Sequence, residues 1–336
     1  MSFPLLLVPL VALREVIKSM DMLELLIFPL LSKKCHQILK ASISKKSALE
    51  ITFAAETKFM TVEIAPKFTF DVKWNDRVSG RLYKIGDNFV LMAHLSTCNR
   101  CVKLEWIRSG QAAEDEESIK TVLNYFVDTI KPLVSFKFNE ELRHEFAMEL
   151  IRHCRQQHIR LFCITFKYGY NASPENVREL LEGSTDEDER LVILSFLPKE
   201  FKYTPPPGGF KLQSVYLSYA DWVNLDDFLQ CGRVSIRGDL FYMTPQYLNN
   251  IFKTIVNTEC RIRFLSLSGI SFNQDNYPEI MEGLSDRPLE DKGLGPCVEL
   301  KARNGRKTTI YFLNGLIHLD ISYVRQVRTR VKREFE

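Results

Sequence analysis

The sequence predicts a mixed fold, α+β grading into α/β: a three-helix N-terminal module, an antiparallel hairpin region, then an irregular βα array closed by a hairpin. Three observations carry that expectation. Apolar residues recur at helical spacing from Leu10 to Leu39, the period shortens to alternation from Ala48, and helix-like and strand-like runs alternate beyond Ile119. At 336 residues the chain exceeds the size at which one core keeps growing, so a division into 1–44 and 45–336 is expected. The larger part splits again into a β-rich stretch, 48–110, and a βα stretch, 119–336.

The composition, 45% hydrophobic with 23 Phe, is rich enough to build a large core and unlike that of a disordered chain. A formal charge of +3 is near balance for this length and does not point to a nucleic-acid partner. The eight cysteines are scattered singly among apolar residues, as at Cys154, Cys163, Cys231 and Cys260. That pattern reads as reduced, core-packed thiols in a cytoplasmic or nuclear protein. No stretch approaches the roughly 20 apolar residues that span a bilayer, so no membrane partner is expected.

The chain opens with "FPLLLVPLVALREVIKSM", Phe3 to Met20. A secretory leader needs a basic start, and Met1-Ser2 holds no Lys or Arg, so a helix is expected instead. Pro9 suits a first turn, where its missing N–H costs nothing. From there Leu10, Leu13, Val16, Ile17 and Met20 share one face, with Arg14, Glu15 and Lys18 elsewhere. Asp21, with Glu24 three residues on, reads as the cap of a second helix, Met22 to Ile27. Pro29 is expected to open a third, with Leu31, Cys35, Ile38 and Leu39 on one face and Lys33, Lys34 and His36 around it. Phe3, Leu5, Leu6, Leu7, Val8 and Leu10 supply more apolar surface than so small a unit can hide. The surplus packs on the rest of the chain or on a partner.

In order and spacing, Phe3-Pro4-Leu5-Leu6, Val8-Pro9, the Leu-rich run to Met20, Glu24-Leu25-Leu26 and Ser32-Lys33-Lys34 resemble an F-box of the large nematode-type families. Val8 stands where Leu is commoner, and Pro29 where a small polar residue is typical. The resemblance implies a module that binds the Skp-type adaptor of a cullin-RING ubiquitin ligase. It places the contact on Pro9, Leu10, Leu13, Val16, Ile17 and Met20, with Leu25 and Leu26 in support. Apolar anchors of this kind lose water against a complementary helical groove.

From Leu49 to Ile107 the runs "ALEITFAA", "FMTVEIA", "FTFDVKW", "RLYKIGD", "FVLMAHL" and "CVKLEWI" are short, β-branched and aromatic, separated by turn residues such as Asn75-Asp76. Gln111 to Ser118, "QAAEDEES", reads as a charged surface loop. Helices are then expected near Ile119–Ile130, Glu140–Gln157, Pro174–Glu182, Leu225–Cys231 and Pro245–Val256. Strands are expected near Val134–Phe138, Leu161–Phe166, Leu191–Phe196, Ser214–Leu217, Val234–Ile236 and Phe264–Leu267. Their intervals lie in or slightly above the leucine-rich-repeat range, and "FLSLSG" has its alternation, although no Asn ladder is present. A compact α/β sheet is the alternative architecture. A closing hairpin is expected around Asn304-Gly305.

Asp221 to Ile270 is similar to the F-box-associated domain that follows nematode-type F-boxes. The carrying features are Asp221-Trp222, Leu225, Leu229-x-Cys231, the Val234–Ile236 strand, Leu248-Asn249 and Phe264-x-x-Leu267, with "ELKARNGRKTTIYF" near the end. In that family the domain is taken to select substrates, and which residues do so here is unknown.

Catalytic and metal-binding motifs in the sequence are incomplete or absent. Cys98-x-x-Cys101 with His94 falls short of a four-ligand zinc site. The spacings of His144, His153 and His158 do not stack imidazoles on adjacent helical turns, so a solvated face or cap is expected. No dinucleotide, phosphate-loop, nucleophile-elbow or zincin motif occurs. "PPPGG", Pro205 to Gly209, reads as a stiff connecting turn, and the basic run Arg325 to Phe335 as a solvated terminal segment. The expectation is therefore a non-enzymatic protein without metal or cofactor, a substrate-recognition adaptor of a cullin-RING ligase whose protein substrate is unknown. Two alternatives stay open: a leucine-rich-repeat-like binding module without a ligase role, and an enzyme whose site is too diffuse to read.

Overall fold

The structure, a computed structural model, describes residues 9–20, 24–25, 28–42, 50–56, 59–64, 68–75, 81–85, 89–95, 101–107, 112–130, 133–140, 143–170, 172–240, 242–270, 272, 274–285, 288–291, 296–301, 307–313 and 316–320. The fold is mixed α/β, with extensive sheet and several helices. The chain divides into two compact units, Met1–Phe162 and Cys163–Glu336, the division falling inside a strand.

The first unit begins with α1 (Leu10–Ser19), a 3-10 turn (Phe28–Leu31) and α2 (Lys33–Ser42). Pro9 stands just before α1, and the Leu13 N–H donates to its carbonyl at 2.9 Å. Leu13 and Ile17, one turn apart, close a core with Phe28, Cys35 and Leu39, against which Met20, Leu25 and Ile38 pack. Pro29 lies inside the 3-10 turn and does not open the third helix; Ser32 does that, its Oγ accepting from the Cys35 N–H at 3.1 Å. A hydroxyl offered to a free N–H at the right spacing outweighs a proline one turn earlier. Of the expected Met22–Ile27 helix, Glu24 and Leu25 are helical; Asp21, Leu26 and the Phe3–Val8 stretch lie outside the described residues.

Seven strands follow: β1 (Glu50–Glu56), β2 (Phe59–Ile64), β3 (Phe68–Asn75), β4 (Arg81–Ile85), β5 (Phe89–Leu95), β6 (Cys101–Ile107) and β7 (Leu133–Phe138). Their order is β7-β1-β2-β3-β6-β5-β4. β1, β2 and β3 form an antiparallel meander and β4, β5 and β6 another. The β1–β7 and β3–β6 pairings are parallel. α3 (Ala112–Ile130) and α4 (His144–Gln156) complete the unit. Gln111–Ser118 was expected as a loop, yet Ala112–Ser118 is the first part of α3. Ala112, Ala113 and Glu114 through Glu117 are good helix formers or acidic residues that complement the N-terminal dipole, so the charge run extends the helix.

The second unit carries β8 (Leu161–Gly169, from Cys163 on), α5 (Pro174–Glu182), β9 (Arg190–Ser195), β10 (Ser214–Ser218), β11 (Arg233–Arg237), α6 (Pro245–Asn257) and β12 (Phe264–Ser268). After a short α7 (Tyr277–Ile280) come β13 (Glu290–Asp291), β14 (Pro296–Lys301), β15 (Lys307–Leu313) and β16 (Leu316–Asp320). β8 to β12 are parallel in sequence order. β16 then pairs antiparallel with β12, followed by β15, β14 and β13, all antiparallel.

Two cross-strand rows explain why this sheet holds. Ile164, Leu191, Val215, Val234, Leu265 and Leu319 are register partners, as are Phe166, Ile193, Leu217, Ile236, Leu267 and Ile317. All twelve are buried, each contributing about 1.5–3 kcal/mol on burial. α5 and α6 bury their own apolar sides, Val177 and Leu180 among them on α5, Leu248 and Phe252 on α6. A parallel sheet row with no exposed surface requires such a helical cover. Each helix starts on a capping hydroxyl followed by proline: Ser173 accepts from the Asn176 N–H, and Thr244 from the Tyr247 N–H.

The segment expected as a helix over Leu225–Cys231 is a single 3-10 turn, Leu225–Phe228. Gly209 explains its tightness: with φ +81 it lets the Phe210 N–H donate to the Asp227 carbonyl at 2.7 Å, where a Cβ would meet that oxygen. The Asn304-Gly305 turn lies outside the described residues, but the strands on either side pair, Lys301 opposite Lys307.

Candidate functional site

The N-terminal module presents apolar residues in two settings. Leu13 and Ile17, each 2% exposed, are interior positions of the module, and Met20 and Leu25 are half-buried on that same core. Val16 is half-buried and Pro9 exposed; Leu26 and the Leu10 side chain lie outside the described residues. Among the described residues of the module, the large apolar side chains that face solvent are Val11, 74% exposed, and Leu31, 61% exposed. Helical spacing passed over Val11, which falls off the Leu10–Leu13–Ile17 face, and put Leu31 on a helix face with Cys35 and Leu39, whereas Leu31 ends a 3-10 turn before that helix. Leu13 and Ile17 of the face that periodicity selects lie in the module's own core, and among the described residues Val11 and Leu31 are the exposed large apolar side chains, with Pro9 exposed beside them.

α2 is tied to α3. The Lys40 ammonium donates to Asp128 Oδ1, and the His36 ring stands 3.0 Å from Oδ2 of the same carboxylate. His36 also sits edge-on to the Tyr125 ring at 6.3 Å. The Lys40 hydrogen bond, partly opposed by desolvation and helped by His36, holds the Asp128 carboxyl below its usual range.

In the second unit, an aromatic column stands at the C-terminal ends of the parallel strands. Tyr170 follows β8, Phe196 follows β9 and Tyr219 follows β10, with ring centroids 3.7 Å and 3.4 Å apart and successive planes 2° and 27° from parallel. Tyr170 is 80% exposed and Tyr219 43%. Tyr219 adopts φ +58, uncommon for a bulky residue and a local strain at a surface position. The equivalent positions after β11 and β12 are Gly238 and Gly269, where a Cβ would strike backbone of the neighbouring turn.

Beside it lies a tyrosine–carboxylate network. The Tyr203 hydroxyl donates to Asp227 Oδ2 at 2.8 Å, and Tyr247 hydrogen-bonds Asn224 and Asp226, each at 3.2 Å. Desolvation pushes the Asp227 carboxyl and the Tyr203 hydroxyl up. Trp222 packs edge-on against Phe201 and Tyr203. Trp222, Leu225, Leu229, Cys231 and Leu248 are buried, and Asn249 donates to the carbonyls of Ile280 and Glu282. Of the residues that carry the second resemblance, these are interior positions of the unit, while Asp221 is half-buried and Ala302–Arg306 lie outside the described residues.

Among the described residues no group of His, Cys, Asp and Glu could hold a metal ion. Cys98 lies outside them; Cys101 opens β6 and His94 lies on β5. His153 meets Asn124 at 2.7 Å, and His158 ends α4 in a left-handed conformation, φ 53. Six described cysteines are free thiols, and burial pushes Cys154 and Cys231 up to about 12, the opposite of an activated nucleophile. No described helix is long and apolar enough to cross a membrane. The basic run Arg325–Phe335 lies outside the described residues.

No protein-family model, curated protein or solved structure matches the chain.

Proposed function

We propose that the chain is a non-enzymatic substrate-recognition adaptor, hung on a cullin-RING ubiquitin ligase by an F-box and offering its second unit, an irregular leucine-rich-repeat-like array, to a protein substrate. The reading starts from the resemblance of residues 3–42. The observation that carries it is a small helical module with its own closed core, Leu13, Ile17, Phe28, Cys35 and Leu39, that still exposes Val11 and Leu31. Exposed apolar side chains beside a proline suit helix-in-groove docking on a Skp-type adaptor. The chain's share in catalysis is proximity: it raises the effective concentration of substrate lysines near a ubiquitin-loaded enzyme supplied by others.

Leu13 and Ile17 act in this reading as the scaffold that presents the surface, with Pro9, Val11, Val16 and Leu31 touching the adaptor. Val11→Asp then abolishes co-purification with the adaptor and leaves the circular dichroism spectrum unchanged. Retained binding by that variant rejects the docking face. A leucine-rich-repeat-like binding module without a ligase role is the reading that remains if the wild-type chain forms no adaptor complex.

A further inference from the structure

The exposed side of the N-terminal module holds cations that its own fold leaves unanswered. Lys33 and Lys34 open α2 and are exposed, and among the described residues their side chains take part in no ion pair or hydrogen bond. Arg14, exposed on α1, is in the same state. The module's other described charges are engaged: Lys18 with Glu15 at 2.7 Å, Lys40 and His36 with Asp128, and Glu24 in interactions of its own. On α3, which packs against α2, Asp128 is thus taken, and Lys120 holds Glu149 of α4 at 3.0 Å. The first turn of α2 has no acidic residue, so two cations face the positive end of the helix dipole. That arrangement weakens the helix, and among the described residues nothing offsets it.

Each of these cations stands beside an exposed apolar side chain. Arg14 lies three residues after Val11, one turn along the same side of α1; Glu15, four residues after, is paired with Lys18. Lys33 and Lys34 follow Leu31 by two and three positions, and all three are exposed. An apolar point edged by an unpaired cation complements an apolar pocket with a carboxylate at its rim, and rim charges act mainly by speeding association. Nucleic acid fits less well, because the module exposes no aromatic ring among its described residues on which bases could stack. A lipid surface fits less well too: Leu13 and Ile17 are buried inside the module, so α1 keeps no broad apolar stripe to enter a membrane. We propose that the partner surface covering Val11 and Leu31 is acidic at its edge, and that Arg14, Lys33 and Lys34 steer it onto the module. The proposal rests on the reading of residues 3–42 as the adaptor-binding module, and adds to it the charge of the partner and the kinetic role of three cations.

The test is the association and dissociation rate of a purified Skp-type adaptor with the full-length chain, measured by biolayer interferometry at several salt concentrations. Wild-type association is expected to slow as salt is raised. Lys33→Glu/Lys34→Glu is expected to associate about tenfold more slowly, with a dissociation rate changed by less than about twofold, and Arg14→Glu to move in the same direction. The double variant is also expected to unfold at no lower a temperature than the wild-type chain, because glutamates at the start of α2 suit its dipole. Association rates indifferent to both salt and charge reversal overturn the proposal and leave the F-box reading standing. Absence of any complex with the wild-type chain rejects the F-box reading and this proposal with it. A clearly lower unfolding temperature for the double variant overturns the proposal whatever the adaptor does, since it shows the lysines paired within the chain. Tighter binding of phosphatidylserine vesicles or of oligouridine than of the adaptor overturns it as well.

Discussion

The ammonium of Lys40 on α2 donates to the carboxylate of Asp128 on α3, joining the N-terminal helices to the helix that follows the β-rich stretch. The direction of the Asp128 shift fixes its pH dependence. A carboxyl held low in the folded state contributes stability above its unfolded pKa, about 3.9, and loses it as pH falls through the lower folded value. Asp128 is half exposed, so the contribution is at most about 1 kcal/mol after solvent screening. Asp128→Asn is therefore expected to lower the urea midpoint slightly at pH 6, less in high salt, and not at all at pH 2. An unchanged difference at pH 2 would show that the loss is steric and not electrostatic.

The module's interior and its surface should respond oppositely to truncation. Leu39 is fully buried, and Leu39→Ala is expected to cost about 2–5 kcal/mol, opening the module to limited proteolysis. Val11→Ala, at a 74% exposed position, should stay within about 0.5 kcal/mol. Comparable losses in the two variants would mean that Val11 is covered in solution.

Gly269 and Gly208 separate backbone strain from crowding. Both have positive φ, +89 and +80, but a Cβ at Gly269 would run into the Gly238 carbonyl oxygen, whereas Gly208 has open space. Gly208→Ala should cost about 1–2 kcal/mol from conformation alone. Gly269→Ala should cost about 3 kcal/mol or more, because the stacked turns after β11 and β12 must part. Chemical denaturation of both variants measures the difference directly.

Asn249 holds the turn after α7. Its Nδ2 donates to the Ile280 carbonyl at 2.7 Å and the Glu282 carbonyl at 2.9 Å. Asn249→Leu removes both bonds, and a loss of about 1–3 kcal/mol is expected, with faster amide exchange around residues 280–284. Unaltered exchange there would mean that the turn is held by its own backbone bonds.

Much of the second unit was legible because its signals are local. Ser173-Pro174 and Thr244-Pro245 place two helix starts unaided, since a capping hydroxyl and a proline at the first turn act within one helical turn. The strands from Leu161 to Ser268 could be read from their apolar residues, which alternate in β9, β10 and β11, each of which buries one apolar row. Pairing was not legible. The parallel contacts of β1 with β7 and β3 with β6, and the insertion of β16 beside β12, join segments far apart in sequence, and no local propensity encodes them. The N-terminal module was legible in a different way: periodicity found Leu13 and Ile17 but could not say whether an apolar face serves the module's own core or a partner. The position of Phe28, Cys35 and Leu39 shows that Leu13 and Ile17 pack in the module's core, while Val11 and Leu31 are exposed.

The most direct test of the account is size-exclusion chromatography of the full-length chain mixed with a purified Skp-type adaptor, beside the Val11→Asp/Leu31→Asp variant. The account predicts a stoichiometric complex for the wild-type chain, and for the variant a correctly folded protein that elutes alone. No complex with the wild-type chain, or an undiminished one with the variant, would contradict it.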